Sequence, residues 1–181
     1  GPWARDTWGY QPDVQLLAFD VVHDAAPLLG AIAEVQHAMA SDDTRPHLSA
    51  VCVHLGAGRV VTVATDGHRL ALSAAEMETA KTTETLLLPA PLVKALRSRP
   101  VVRFGTQKGP DGKRWVVGEG EGFMVRSQPV DAAFPSYDQV IPKDHTRELR
   151  VTRRAFADAV DAAAEAQGER TVGVRLGLGA G

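Results

Sequence analysis

Apolar residues return at steps of three and four between Ala25 and Met39. Ala25, Leu28, Leu29, Ile32, Val35 and Met39 therefore share one face of a helix. Asp24 is a suitable N-cap, Pro27 is tolerated in a first turn, and the helix is expected to end near Ala40. On either side the period drops to two. Residues 16–22 suit a strand before the helix, and residues 48–55, 59–65 and 69–77 read as three strands after it, with Gly56-Ala57-Gly58 and Asp66-Gly67 as turns.

The same order then recurs. Residues 85–89 predict a strand and residues 90–99 a short helix carrying Leu92, Val93 and Leu96. Strands follow over 101–107, 114–118 and 122–130, with a strong turn at Gly109-Pro110-Asp111-Gly112. Two β-α-β-β-β units imply an α+β fold of two similar halves about a pseudo-twofold, with two helices covering one face of the sheet and strands pairing across the join. The link 78–84 is too polar to enter the core.

A third unit opens with a strand at 148–151, Thr152 as N-cap, and an alanine-rich helix through Ala166 bearing Phe156 and Val160. It closes with a strand at 171–178. Two elements present in the other units are missing, so this part is expected to pack on a neighbour, to swap with another chain, or to belong to a longer protein. The organisation read from the chain is a lead-in or linker over 1–15, a domain over 16–145 and a partial unit over 146–181.

Composition narrows the function classes. With 181 residues and 44% hydrophobic content the chain can bury one good core, and a formal charge of −2 gives no overall pull toward nucleic acid, so any such contact needs a local basic face. Cys52 is the one cysteine and alternates with strand residues, which fits a reduced core thiol. No run approaches the ~18 apolar residues of a membrane span, and no basic segment leads into an apolar signal core; a cytoplasmic protein is expected, with no membrane partner.

Catalytic constellations find little support. His68 with Asp66 and Ser73 offers a base, an orienter and a nucleophile, but the chain has no strand-to-helix elbow of the G-x-S-x-G kind. His23, His37, His47, His54, His68 and His145 show no metal-ligand spacing and no cysteine partners, and His54, alternating with Val53 and Leu55, is expected to point to solvent. Gly118 to Gly122 carries two glutamates and no lysine, so a hairpin turn fits it better than a phosphate loop. No catalytic residue, metal or cofactor is assigned.

Two strings carry more information. Residues 62–71 read TVATDGHRLA, a strand running into a compact polar turn, and residues 134–143 read FPSYDQVIPK. Together, in this order and at this separation, they resemble the middle domain of the bacterial sliding clamp, the beta subunit of DNA polymerase III; the resemblance covers roughly residues 16–178, the first two units aligning with that middle domain and the third with the start of the last domain. It implies a DNA-clamp fold and a non-enzymatic module that docks short peptides of polymerases and repair proteins, with a homo-oligomeric ring and double-stranded DNA as a partner only in the complete ring.

Carried over by position, the resemblance assigns the peptide pocket to Leu48, Thr65, Gly67, His68, Arg69, Leu70, Pro135, Gln139 and Val140. Leu48, Leu70, Pro135 and Val140 suit an apolar cleft for a leucine or phenylalanine anchor, and His68 and Arg69 suit its rim. The DNA-facing cations are expected at Arg45, Lys94, Arg97, Arg99, Arg153 and Arg154; the first helix has none. The alternative is a clamp-derived sensory or oligomerisation domain of a bacterial, MerR-like transcription regulator, which the linker-like character of residues 1–13 favours.

Overall fold

The computed structural model describes residues 19–42, 44–165 and 173–177. The Asp24 carboxylate accepts the Ala26 N–H at 3.1 Å, which ends strand β1 (Val21–Asp24) and starts helix α1 (Ala25–Val35). The last turn of α1 tightens into a 3₁₀ segment at Gln36–Ala38, close to the expected end. Strands β2 (Ala50–Gly56), β3 (Arg59–Thr65), β4 (Leu70–Glu76) and β5 (Glu84–Pro89) follow, then α2 (Ala90–Arg97), β6 (Val101–Lys108), β7 (Arg114–Gly120) and β8 (Phe123–Ser127).

The strands form two antiparallel four-stranded sheets, ordered β1-β6-β7-β8 and β4-β3-β2-β5. Each unit therefore lends its first strand to the other. The two loans are equivalent. Asp24, just before α1, lies opposite Arg103 of β6, and Pro89, just before α2, lies opposite Ala50 of β2. α1 lies against β3 and β4 of its own unit and β6 of the other, while α2 lies against β8 of its own unit and β2 of the other. Strand exchange makes the core continuous across both units, and one apolar cluster joins Leu28, Ile32 and Val35 of α1, Leu92, Val93 and Leu96 of α2, Val51, Val53, Leu86 and Leu88 of one sheet and Phe104 and Val116 of the other.

Two buried hydroxyls bond to α1. Thr62 Oγ1 donates to Ala31 O at 3.0 Å and Ser73 Oγ to Glu34 Oε2 at 2.5 Å, so β3 and β4 are hydrogen-bonded to the helix above them. Gly118 allows α2 to pack closely, since a Cβ there would stand 2.3 Å from Leu96 Cδ2. The Arg114–Glu84 pair joins β7 of one sheet to β5 of the other.

Several expectations change. The link after β4 does enter the core: Met77 and Ala80 are buried, because Met77 N–H bonds Gly58 O and Gly58 N–H bonds Ala80 O, folding the link under the β2–β3 turn. β8 stops at Ser127, short of the expected 130, because Val130 N–H has turned away to Leu87 O on β5. His54 is half-buried, with Nδ1 3.0 Å from Thr85 Oγ1 across the β2–β5 pair. Cys52 has no exposed surface, as its strand position implied, and burial pushes its thiol pKa up to about 11.

The chain divides into two compact units, residues 1–135 and 136–181. In the second, a 3₁₀ turn at Tyr137–Gln139 precedes helix α3 (Arg153–Glu165), whose residues are all exposed or half-buried, Phe156 and Val160 included. The strand expected at 148–151 is absent: Leu149 and Val151 alternate with charged residues but find no partner strand among the described residues. Of the strand expected at 171–178, residues 173–177 show no strand and the rest lie outside the described residues; of the strand expected at 16–22, residues 16–18 lie outside them and Val21 and Val22 fall in β1.

Candidate docking site

β3 and β4 meet through four residues, Asp66 to Arg69, with Thr65 paired to Leu70 at the base. Asp66 organises this turn. Its Oδ1 accepts the N–H groups of His68 and Arg69 at 2.9 and 3.0 Å, and its Oδ2 pairs with Arg69 Nε at 3.0 Å. The two backbone donors, led by His68 N–H, hold the Asp66 carboxyl below the usual carboxylate range. Thr65 closes the other side, its hydroxyl donating to Arg69 O at 2.7 Å and accepting Gly67 N–H at 3.1 Å. Gly67 has φ +93°, in a region that disfavours a side chain.

The loop between α1 and β2 is built to meet this turn. Leu48 and Ser49 N–H both bond Arg45 O, at 2.8 and 3.0 Å, and Ala40 N–H bonds Leu48 O at 3.0 Å, which draws the loop into a knot with Leu48 buried. Arg45 reaches out of it: Nη1 donates to Asp66 O at 3.2 Å and Nη2 pairs with Asp42 Oδ2 at 3.0 Å. Asp42 is stabilised as a carboxylate chiefly by the Thr44 hydroxyl and then by Arg45, which lowers its pKa to about 2.

Six of the nine expected pocket residues, Leu48, Thr65, Gly67, His68, Arg69 and Leu70, thus lie on two segments that Arg45 ties together. Leu48 is buried, Leu70 half-buried, and His68 and Arg69 exposed. Pro135 ends the first unit and is exposed; Gln139 and Val140 lie in the second, with Val140 67% exposed. Asp66 and Arg45 were not among the expected pocket residues. Asp66 was legible, since an aspartate two and three residues before His68 and Arg69 is an Asx-turn pattern, whereas nothing local announces the reach of Arg45.

Of the other expected cations, Lys94 and Arg97 are exposed on α2, Arg99 lies 5.4 Å from the Phe123 ring centre, and Arg153 and Arg154 are exposed in the first turn of α3. The Ser73 hydroxyl donates to Glu34, and the Asp66 carboxylate is taken up by its own turn. An open cavity of about 660 Å³ is lined by Thr85, Leu87, Lys113, Arg114, Val130 and Phe134 among others, and by none of the turn residues. Among the described residues no helix is long and apolar enough to cross a membrane.

Two β-α-β-β-β units that exchange first strands under a pair of helices define a DNA-clamp-type α+β fold, and solved clamps share it. The sliding clamp of Bacillus subtilis superposes with a TM-score of 0.74 over 92% of this chain and 44% of its own, at 20% identity. A clamp from Pseudomonas aeruginosa bound to griselimycin gives 0.70 over 88% and 44%, at 23%. Residues 24–136 match the family described as DNA polymerase III beta subunit, central domain, and the chain belongs to that family. Among curated relatives, the beta sliding clamp of Caulobacter vibrioides is 30% identical over 172 residues, covering 90% of this chain and 45% of the relative. That of Vibrio cholerae is 31% identical over 159 residues, covering 84% and 42%. The chain spans less than half the length of these relatives. The transcription-regulator alternative draws no support from them.

Proposed function

We propose that this chain is the central module of a sliding clamp serving DNA replication. It acts without bond chemistry, as a docking platform for short peptides of polymerases and repair proteins, and as part of a homo-oligomeric ring that tethers them to double-stranded DNA. A polymerase held on such a ring stays at high effective concentration near its template after each dissociation. The observation that carries this reading is the joining of the family match with a pre-ordered turn, Thr65 to Leu70, fastened to the loop that bears Leu48. Leu48 and Leu70 supply apolar surface for the anchor side chain, His68 and Arg69 meet its backbone, and Pro135 belongs to the same assignment. Gln139 and Val140 are included by family resemblance alone. Lys94, Arg97 and Arg99, with Arg153 and Arg154 of the second unit, are assigned to phosphate contact in the ring. Arg45 is assigned to the turn.

The test is titration of a labelled peptide with a leucine or phenylalanine anchor, followed by fluorescence anisotropy. Leu70→Ala is expected to weaken binding about tenfold, with Val140→Ala a separate measure of the second unit. A parent chain that binds no such peptide removes the docking function.

A further inference from the structure

We propose that Arg45 is a positioning residue for peptide docking: its guanidinium bridges the Asp42 carboxylate to the Asp66 carbonyl and so fixes the orientation in which His68 and Arg69 are presented. This rests on the docking function proposed above and deepens it. The bonds made by Thr65, Asp66 and Arg69 side chains all stay within residues 65–69; they shape the turn but do not attach it to anything. Beyond the β3–β4 ladder, the hydrogen bond that leaves the turn among the described residues is the one from Arg45 Nη1 to Asp66 O, across 21 residues of sequence.

The other end of this bridge is anchored. Asp42 Oδ2 takes Arg45 Nη2 at 3.0 Å while its Oδ1 accepts the Thr44 hydroxyl at 2.6 Å and the Thr44 N–H at 3.2 Å. Ser49 Oγ lies 2.5 Å from Asp42 O and 3.0 Å from Ala40 O, which pins the backbone beneath. Gly67 completes the fit: a Cβ there would stand 3.6 Å from Arg45 Nη1, so the guanidinium packs on the bare side of the glycine. Two separate nitrogens of one planar fork serve two acceptors, which a lysine ammonium cannot reproduce. A turn held before the peptide arrives spares the ordering cost at binding, so loss of the bridge appears as faster dissociation.

The anisotropy titration is made with the parent, Arg45→Ala, Arg45→Lys and Asp42→Asn, together with melting curves, amide hydrogen exchange at Gly67 and addition of millimolar guanidinium. Arg45→Ala is expected to lose about tenfold in affinity by faster dissociation, to speed Gly67 exchange and to leave the melting temperature unchanged, because both partners lie in surface loops. Guanidinium restores part of the loss, and Arg45→Lys recovers less than half of it. Asp42→Asn frees the arginine to touch a peptide directly yet is expected to lose about threefold. A parent that binds while Arg45→Ala and Asp42→Asn match it overturns the positioning role and leaves docking standing. Loss in Arg45→Ala without loss in Asp42→Asn and without faster Gly67 exchange makes Arg45 a direct contact and also overturns it. A parent that does not bind removes docking and the positioning role with it.

Discussion

Adding one methyl group at Gly105 tests the strand exchange. Gly105 sits in β6 opposite Val22 of β1, and a Cβ built there would stand 2.0 Å from Val21 O and 2.8 Å from the Phe19 ring. Real Cβ contacts stop near 3.0 Å, so the Val21 carbonyl must retreat by about 1 Å, and it belongs to backbone with no rotamer to swing aside. β1 is a four-residue edge strand that among the described residues pairs with β6 alone, so it yields. Loosening two or three ladder bonds, among them Asp20 N–H to Thr106 O at 2.9 Å, costs about 2–3 kcal/mol at ~1 kcal/mol each. The smaller entropy of an unfolded alanine returns about 0.5 kcal/mol. For a domain of this size each kcal/mol moves the melting temperature by about 2–4 °C, so Gly105→Ala is expected to melt on the order of 3–10 °C below the parent in circular dichroism at 222 nm. Gly30→Ala is the control. That glycine is exposed within α1, a Cβ there meets nothing within 4 Å, and the helical preference of alanine is worth about 1 kcal/mol, so this variant should melt a few degrees higher. Gly105→Ala melting at or above the parent would refute the pairing of β1 with β6.

Cys52, buried with its thiol pKa at about 11, should resist a disulfide reagent at pH 8 in the folded chain and react fully once denaturant is added; rapid native labelling would show the β2 face open to solvent. Asp42 keeps its charge in the fold down to about pH 2, against an ordinary value of 3.8, so its contribution to the loop is complete above about pH 4 and is lost as the pH falls toward 2. Its carboxyl carbon shift in nuclear magnetic resonance should have a midpoint near 2, and a midpoint at 3.8 would break the Thr44 and Arg45 assignments. Asp66 is displaced in the same direction, and the His68 and Arg69 amide shifts should follow its protonation.

The helical faces were legible because burial follows spacing: Ala25, Leu28, Ile32 and Val35 are all in the core, and so are Leu92, Val93 and Leu96. Alternation likewise located the strands. It could not say which strand pairs with which edge, since alternation assigns faces and carries no information about neighbours; pairing across the join followed from the repeated element order, and its register came from the structure. Ala80 was missed because a single small residue among charged ones has no period, although two backbone bonds around Gly58 bury it. Leu149 and Val151 failed in the opposite sense, with alternation present and no partner strand among the described residues. At the site, the Asp-Gly signal found the turn. The Arg45 bridge crosses a polar loop whose path no local propensity specifies.

Because each half of the first unit completes its sheet with the opening strand of the other, neither half is a folding entity by itself. Melting should be a single cooperative step, and refolding must wait for the meeting of Val21 with Thr106, a closure of long sequence range that slows it relative to a helical domain of equal length. A cut in the exposed stretch around Lys81 would yield two fragments still laced through one another, parting only when the whole body unfolds.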